Sequence, residues 1–121
     1  MADHPVGMDH RPRISGVQHW RWQRISALAL FFVLIYFIFA LSRLGTFDYD
    51  QAVRFVAAPI NALGLVCLVL VGLFHASLGL EVVIEDYVPL KKGRRTLIYI
   101  AKGGILVSAT ACLWSLFVTA F

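Results

Sequence analysis

The sequence predicts an all-α membrane protein with three transmembrane helices. Of its 121 residues, 60% are hydrophobic and only 15% are charged, and the mean hydropathy is +0.77. A soluble domain carries about 25% charged residues. Three runs reach the length of about 20 apolar residues that one membrane crossing requires. Because so small a chain cannot bury a large interior of its own, we expect partner subunits.

Composition and charge also argue against several functions. The formal net charge is +4, but the basic residues lie at the ends of the apolar runs, so nucleic acid is not an expected partner. Cys67 and Cys112 lie singly in different apolar runs, and no Cys-x-x-Cys-His is present. We therefore expect neither a disulfide nor a c-type haem. Neither an iron–sulfur ligand set nor a Gly-x-Gly-x-x-Gly motif after a strand is present, so flavin and nucleotide chemistry are not expected in this chain.

Polar segments and helix breakers divide the chain. Residues 1–15 form a polar N-terminal tail, and residues 16–121 form one membrane domain. The apolar runs predict helices at about 22–44, 55–86 and 96–119. Gly45 is suited to end the first helix, Pro59 is tolerated in the first turns of the second, and Pro89 breaks it.

The charges predict the topology. Only Arg43 and Arg54 lie on one side of the three spans, whereas Lys102 lies close to the other side, which carries Arg11, Arg13, Arg21, Arg24, Lys91, Lys92, Arg94 and Arg95. The positive-inside rule then places the N-terminus and the 81–96 loop in the cytoplasm and the C-terminus in the periplasm or its equivalent. Lys102 is close enough to the basic side for its side chain to snorkel.

The second helix carries the strongest candidate site residue, His75. A histidine inside a membrane span is costly unless it has a function or a partner. At ~100° per residue, one stripe of this helix contains Asn61, Gly64, Leu68, Gly72, His75, Gly79 and Asp86. The glycines beside His75 leave space for a large flat group, and small Ser26 near the start of the first helix does the same.

Two interpretations of His75 stay open on the residues alone. A neutral imidazole in apolar surroundings can ligate haem iron, and the second axial ligand would then come from another chain. Alternatively, His75 forms a hydrogen bond with a hydroxyl or carbonyl group of a neighbouring helix. Ser26 likewise has a local alternative, a hydroxyl bonded back to its own helix.

Asp86 and Tyr87 pair a carboxylate with a phenol where the second helix leaves the membrane. A phenol can donate a hydrogen bond to a quinone carbonyl, and a nearby carboxylate can orient it or relay protons. Equally, Asp86 can pair with a cation of the next loop, and Tyr87 can serve as an interfacial anchor.

The residues before the first span have two interpretations as well. Trp20 and Arg24 are typical of an interfacial belt with positive-inside anchoring. On a helix, however, His19 and Gln23 share a face with Arg24 beside it, and such a cluster can bind the carboxylates of a ligand.

Two motifs together resemble a known family. His75-Ala-Ser-Leu-Gly79 followed by Val82-Val83-Ile84-Glu85-Asp86-Tyr87-Val88 is similar to the second-helix signature of the D-type hydrophobic membrane anchor of succinate dehydrogenase (respiratory complex II). His19-Trp20-x-x-Gln23-Arg24-x-Ser26-Ala27 resembles the other motif of that anchor in its bacterial form. The resemblance covers residues 16–88 by motif and the third helix by hydropathy.

The resemblance implies a role for each matching residue. His75 would be an axial ligand of haem b, Arg24 and His19 would bind a haem propionate, and Tyr87 with Asp86 would bind ubiquinone. Close approach to the haem is expected at Gly72, Gly79 and Ser26. The three helices would form half of a heterodimeric haem-binding anchor bundle in a bacterial inner membrane.

The resemblance also implies partners. The anchor domain, 16–121, would share its haem with a second, C-type hydrophobic anchor and would dock an iron–sulfur subunit and a flavoprotein subunit. Succinate oxidation would occur on the flavoprotein, so no catalytic residue of that step is expected in this chain. The alternatives are the anchor of a fumarate reductase and a non-redox small polytopic membrane protein.

Overall fold

The structure, a computed structural model, describes residues 16–45 and 48–121. These ranges form four α-helices and no strand: α1 (Gly16–Ser42), α2 (Tyr49–Ala57), α3 (Pro59–Tyr87) and α4 (Lys91–Ala120). Helices α1, α3 and α4 have 27, 29 and 30 residues, and each is long and apolar enough to cross a membrane. The predicted all-α fold with three spans is confirmed. The polar tail predicted at 1–15 lies outside the described residues.

Two helix boundaries differ from those expected. Helix α1 begins at Gly16 rather than at about 22, so the segment from His19 to Arg24 is helical. Helix α4 begins at Lys91 rather than at about 96, so the basic residues after Pro89 form its first turns instead of a loop. Lysine and arginine are good helix formers, and a connection of only three residues, 88–90, is enough to reverse the chain after Pro89.

The predicted helix at 55–86 is two helices in the structure. Asp48 caps α2 by accepting a hydrogen bond of 2.7 Å from the backbone N–H of Gln51. Ala58 is extended, with ψ of 125°, and Pro59 is the first residue of α3. The residue before a proline disfavours the helical conformation, so Pro59 begins the second span rather than lying within it.

A polar network joins the three elements around this break. The carbonyl of Phe55 lacks its usual helical partner, because Pro59, four residues on, has no N–H group. The side-chain amide of Asn61 donates to that carbonyl at 2.9 Å, and its Oδ1 accepts a hydrogen bond from the hydroxyl of Tyr36. Asn61 is buried, and both its amide nitrogen and its amide oxygen have a partner. The side chain therefore ties α1 and α2 to α3 inside the membrane domain.

Helix α3 lies between α1 and α4, which make no contact with each other in the described ranges. Neighbouring spans run antiparallel. Gln23 of α1 lies beside Gly79 of α3, Tyr36 of α1 bonds Asn61 of α3, and Lys102 of α4 bonds Glu81 of α3. We call the end with the start of α1, the end of α3 and the start of α4 the basic end. The far end contains the last residues of α1 and α4, and α2, which contacts α3 and α4.

Very little of this layer is buried. Among the described residues only Ser26, Phe37 and Asn61 are buried, whereas large apolar side chains such as Phe31, Ile38 and Trp114 are exposed. Apolar surface on both faces is stable only against lipid tails or another apolar protein. The chain is therefore a multi-pass membrane protein whose interior is not self-contained.

Close packing of α1 on α3 depends on Gly64. A Cβ atom at this position would lie 3.1 Å from Cζ of Phe37. The Phe37 ring is 6% exposed, and the Tyr36 and Phe55 rings lie 5.2 Å and 6.2 Å from it, so it has little room to retreat.

We expect Gly64→Ala to destabilise the α1–α3 contact by about 1–3 kcal/mol, as overpacking of a filled site does. The measurement is the thermal midpoint of the purified protein with its partners. Gly103→Ala is the control in the neighbouring span α4, because a Cβ atom there would meet nothing within 4 Å. Equal midpoints for the two variants would contradict this account of the packing.

Candidate functional site at the basic end

His75 contacts α1 inside the membrane domain. Its Nδ1 lies 2.8 Å from Oγ of Ser26, and Ser26 is only 4% exposed. The same Ser26 hydroxyl donates to the backbone carbonyl of Gln23 at 3.1 Å. Both local interpretations from the sequence, a helix-bonded Ser26 and a His75 bonded to a neighbouring helix, are therefore present in the structure.

These two contacts are compatible with a neutral His75 that carries its proton on Nδ1. A serine hydroxyl has one hydrogen, and the Gln23 carbonyl is within reach of it. With that hydrogen donated to Gln23, the oxygen of Ser26 accepts from Nδ1–H of His75, and the imidazole keeps its lone pair on Nε2. Metal-ligating histidines are commonly oriented by such a bond on the other ring nitrogen. The bond to Ser26 and a ligand role for Nε2 are compatible.

The glycines beside His75 face α1. A Cβ atom on Gly79 would lie 3.7 Å from Nε2 of Gln23, and one on Gly72 would lie 3.8 Å from Leu30. In this chain α1 occupies the space next to these glycines, and a Cβ atom at either position would make an ordinary contact with α1. The predicted close approach of haem at Gly72, Gly79 and Ser26 stays a prediction.

The start of α1 presents two neighbouring rows of side chains. On the row shared by His19 and Gln23, His19 Nε2 and Gln23 Oε1 are buried without a hydrogen-bond partner among the described residues. A buried polar atom without a partner costs about 1–3 kcal/mol, so both favour a polar group supplied from outside the described chain. On the next row, the Arg24 guanidinium carbon lies 5.1 Å from the centre of the Trp20 ring.

Asp86 and Tyr87 form the last residues of α3. The Tyr87 side chain is 81% exposed, and Asp86 is exposed as well. Asp86 forms no ion pair within the part of the chain that the structure describes, so the alternative pairing with a cation of the next segment is not present there. The path from His75 to Asp86 is ~16 Å of helical rise, which places the imidazole within the span and this pair at its end.

Two interactions near this pair were not foreseen from the sequence. Arg94 donates from Nε and Nη2 to the backbone carbonyl of Val88, at 3.1 Å and 3.0 Å, and so holds the turn that follows Tyr87. Lys102 does not simply snorkel: its Nζ lies 2.6 Å from Glu81 of α3, whose side chain is 25% exposed. In the sequence, nothing distinguishes Arg94 from the other basic residues of its cluster. The pair of Lys102 with Glu81 could have been suggested only by their opposite charges at a similar depth in the membrane.

The donor set around His75 is small. The described ranges contain no group of three or more histidine, cysteine, aspartate or glutamate side chains placed to hold a metal ion. His75 can therefore supply one ligand to a metal, which fits a prosthetic group that brings its own equatorial ligands and takes its other axial ligand elsewhere.

Three antiparallel spans in one layer, an oriented imidazole within the membrane and an exposed Asp–Tyr pair at the basic end define a small polytopic membrane subunit. Residues 9–112 match the family described as succinate dehydrogenase/fumarate reductase transmembrane subunit. The chain belongs to this family.

Curated relatives agree with the family match. A protein of Rickettsia bellii named succinate dehydrogenase hydrophobic membrane anchor subunit is 33% identical over 103 residues, which is 85% of this chain and 82% of that protein. Proteins of the same name are 35% identical over 106 residues in Rickettsia typhi, covering 85% of this chain and 82% of the relative, and 38% identical over 91 residues in Rickettsia prowazekii, covering 73% and 70%.

Proposed function

We propose that this chain is the hydrophobic membrane anchor of a bacterial succinate:ubiquinone oxidoreductase. It docks an iron–sulfur and a flavoprotein subunit at the inner membrane, shares haem b with a second anchor subunit, and helps form the ubiquinone site. The basic end faces the cytoplasm, in keeping with the positive-inside rule. The observation that carries the haem assignment is the bond between Ser26 and Nδ1 of His75 at 2.8 Å.

The residues around His75 fit a haem axial ligand. The Ser26 bond holds the ring orientation and leaves the Nε2 lone pair for iron. His19, the other histidine in the described ranges, lies about two helical turns from Ser26 along α1, too far to ligate the same iron. A second ligand to the iron would come from the partner anchor. Bound haem b supplies a one-electron store beside the quinone site.

The start of α1 is suited to hold the haem propionates. Arg24 lies over the Trp20 ring, and a guanidinium in such a position keeps N–H groups at its edge for a carboxylate. Charge-assisted bonds of this kind are stronger than neutral ones. The buried Nε2 of His19, which has no partner among the described residues, gains one if a propionate reaches it.

Tyr87 and Asp86 are suited to bind the quinone head. The exposed Tyr87 hydroxyl donates a hydrogen bond to a quinone carbonyl, and Asp86 orients that hydroxyl or passes on a proton. Reduction of ubiquinone to ubiquinol takes up two electrons and two protons, and this pair lies at the end of α3 that faces the cytoplasmic proton source. Arg94 keeps the turn after Tyr87 in place through the Val88 carbonyl.

Purification of the complex from its native membrane tests this function. We expect a b-type Soret band, one haem per pair of anchors by pyridine haemochrome, and succinate-driven ubiquinone reduction. A colourless complex would contradict the haem assignment and favour a non-redox membrane protein. Faster turnover with fumarate and quinol than with succinate and quinone would instead favour a fumarate reductase, which the family also includes.

Ser26→Ala tests the orientation of His75. Loss of the hydrogen-bond acceptor on Nδ1–H makes the imidazole a weaker electron donor, so we expect haem to remain bound with a midpoint potential raised by about 20–60 mV, the equivalent of one hydrogen bond. Redox titration of the haem absorbance measures it. Ser42→Ala is the matched control, since the Ser42 hydroxyl also bonds a carbonyl three residues back, that of Phe39. An unshifted potential in Ser26→Ala would disprove the positioning role.

A further inference from the structure

An open cleft of about 340 Å³ lies along the first three turns of α4. We call it the basic cleft; it is lined by Lys91, Arg94, Arg95, Ile98, Tyr99 and Lys102. Positions three and four apart share one flank of a helix, so the four cations form a column rather than a ring. From Lys91 to Lys102 the column covers ~16 Å of helical rise, from the start of the helix into the membrane span.

The cleft holds more positive charge than the chain neutralises. Lys102 is paired with Glu81 at 2.6 Å, and Arg94 bonds only an uncharged carbonyl, that of Val88. The side chains of Lys91 and Arg95 form no ion pair or hydrogen bond with any residue in the described ranges. Like charges four residues apart on a helix repel each other, and the positive end of the α4 dipole adds to that repulsion. An anion between Lys91 and Arg95 would relieve it.

The position and the remaining walls of the cleft determine which anion fits. Helix α4 crosses the membrane, so the cleft opens where phospholipid headgroups lie. Its inner part is formed by the side chains of Ile98 and Tyr99, and Tyr99 is 69% exposed, so its ring is accessible. These two side chains suit a glycerol backbone and the first carbons of an acyl chain, which a small soluble anion lacks.

We propose that the basic cleft binds the headgroup of an anionic phospholipid, with the phosphate between Lys91 and Arg95 and the glycerol region against Ile98 and Tyr99. Basic pockets beside membrane helices recognise lipid headgroups in this way. The assignment needs only that α4 spans the membrane and does not depend on haem or quinone binding. The competing occupant is an acidic surface of a soluble subunit. Such a surface would reach Lys91 more easily than Ile98, which lies further into the membrane span.

The test uses the intact complex in nanodiscs of phosphatidylcholine, titrated with phosphatidylglycerol and analysed by native mass spectrometry. The Lys91→Gln/Arg95→Gln variant removes the two unpaired charges of the cleft. We expect about 10- to 30-fold weaker retention of phosphatidylglycerol, at about three- to fivefold per lost charge. The matched control is Lys92→Gln/Arg21→Gln, which removes two exposed charges from the basic end outside the cleft and is expected to change retention by less than about threefold.

Equal losses in the two double variants would show that only the overall charge matters and would overturn the proposal. Unchanged lipid retention with dissociation of the soluble subunits would overturn it in favour of a protein surface in the cleft. If the double variant fails to assemble, Arg95→Gln alone is expected to weaken retention about three- to fivefold, and retention equal to wild type would be decisive against the site. Arg95→Lys, which keeps the charge, is expected to retain the lipid.

Discussion

His75→Ala, in the purified complex, is expected to abolish the spectrum of low-spin, six-coordinate haem b. The imidazole is the single histidine side chain that the described ranges place deep in the membrane domain, with Nδ1 bonded to Ser26 and Nε2 available. Removal of an axial ligand leaves the iron five-coordinate or the haem unbound. Optical and electron paramagnetic resonance spectra of the reduced and oxidised complex measure the loss.

The matched variant is His75→Asn. Its side-chain amide nitrogen takes the place of Nδ1 and can still donate to Ser26, but it has nothing at the position of Nε2. If His75 ligates iron, both variants lose the low-spin spectrum. If His75 only packs α3 against α1, His75→Asn keeps the wild-type spectrum while His75→Ala alters it, and the ligand role is then refuted.

Tyr87→Phe is expected to lower succinate–ubiquinone reductase activity by about 10- to 100-fold while leaving dye-linked succinate oxidation close to wild type. The change removes a single hydroxyl, the proposed donor to the quinone carbonyl, from a side chain that is 81% exposed. Loss of one partner of a hydrogen bond that the other subunits shield from water costs about 1–3 kcal/mol, which includes this range of rate. Steady-state assays with a short-chain ubiquinone and with an artificial acceptor give the two activities.

Tyr49→Phe is the matched control. Tyr49 has the same exposure, 81%, but it begins α2 at the far end of the molecule. We expect both activities of this variant to equal those of wild type. An equal fall of both activities in Tyr87→Phe would point to faulty assembly instead of a role in quinone binding.

The membrane fold could be predicted because it depends on local composition. A run of apolar residues long enough for a bilayer forms a helix wherever it occurs, since no other partner exists there for its backbone groups. Helix ends were less predictable. Pro59 separates α2 from α3. Such a break leaves the carbonyl four residues before the proline without its helical partner, and here the side chain of Asn61 bonds that carbonyl of Phe55.

The candidate site could be predicted only residue by residue. A histidine within a span is informative because it is costly there. Arginine and tyrosine side chains at the membrane edge are informative because they are well suited to that position. Their partners were not visible, since Ser26 and His75 lie 49 residues apart and no local rule pairs them. For the same reason the sequence did not indicate the bond from Arg94 to Val88 or the pair of Lys102 with Glu81.

Three apolar spans, a basic end and one histidine within the second span can all be recognised in the amino-acid sequence. Those properties follow from the length, charge and polarity of continuous segments. The order of the helices, with α3 between α1 and α4, and the contact of Ser26 with Nδ1 of His75 are visible only in the folded chain. Such features depend on which helix faces meet, and the close approach that Gly64 allows between α1 and α3 is one cause of that choice.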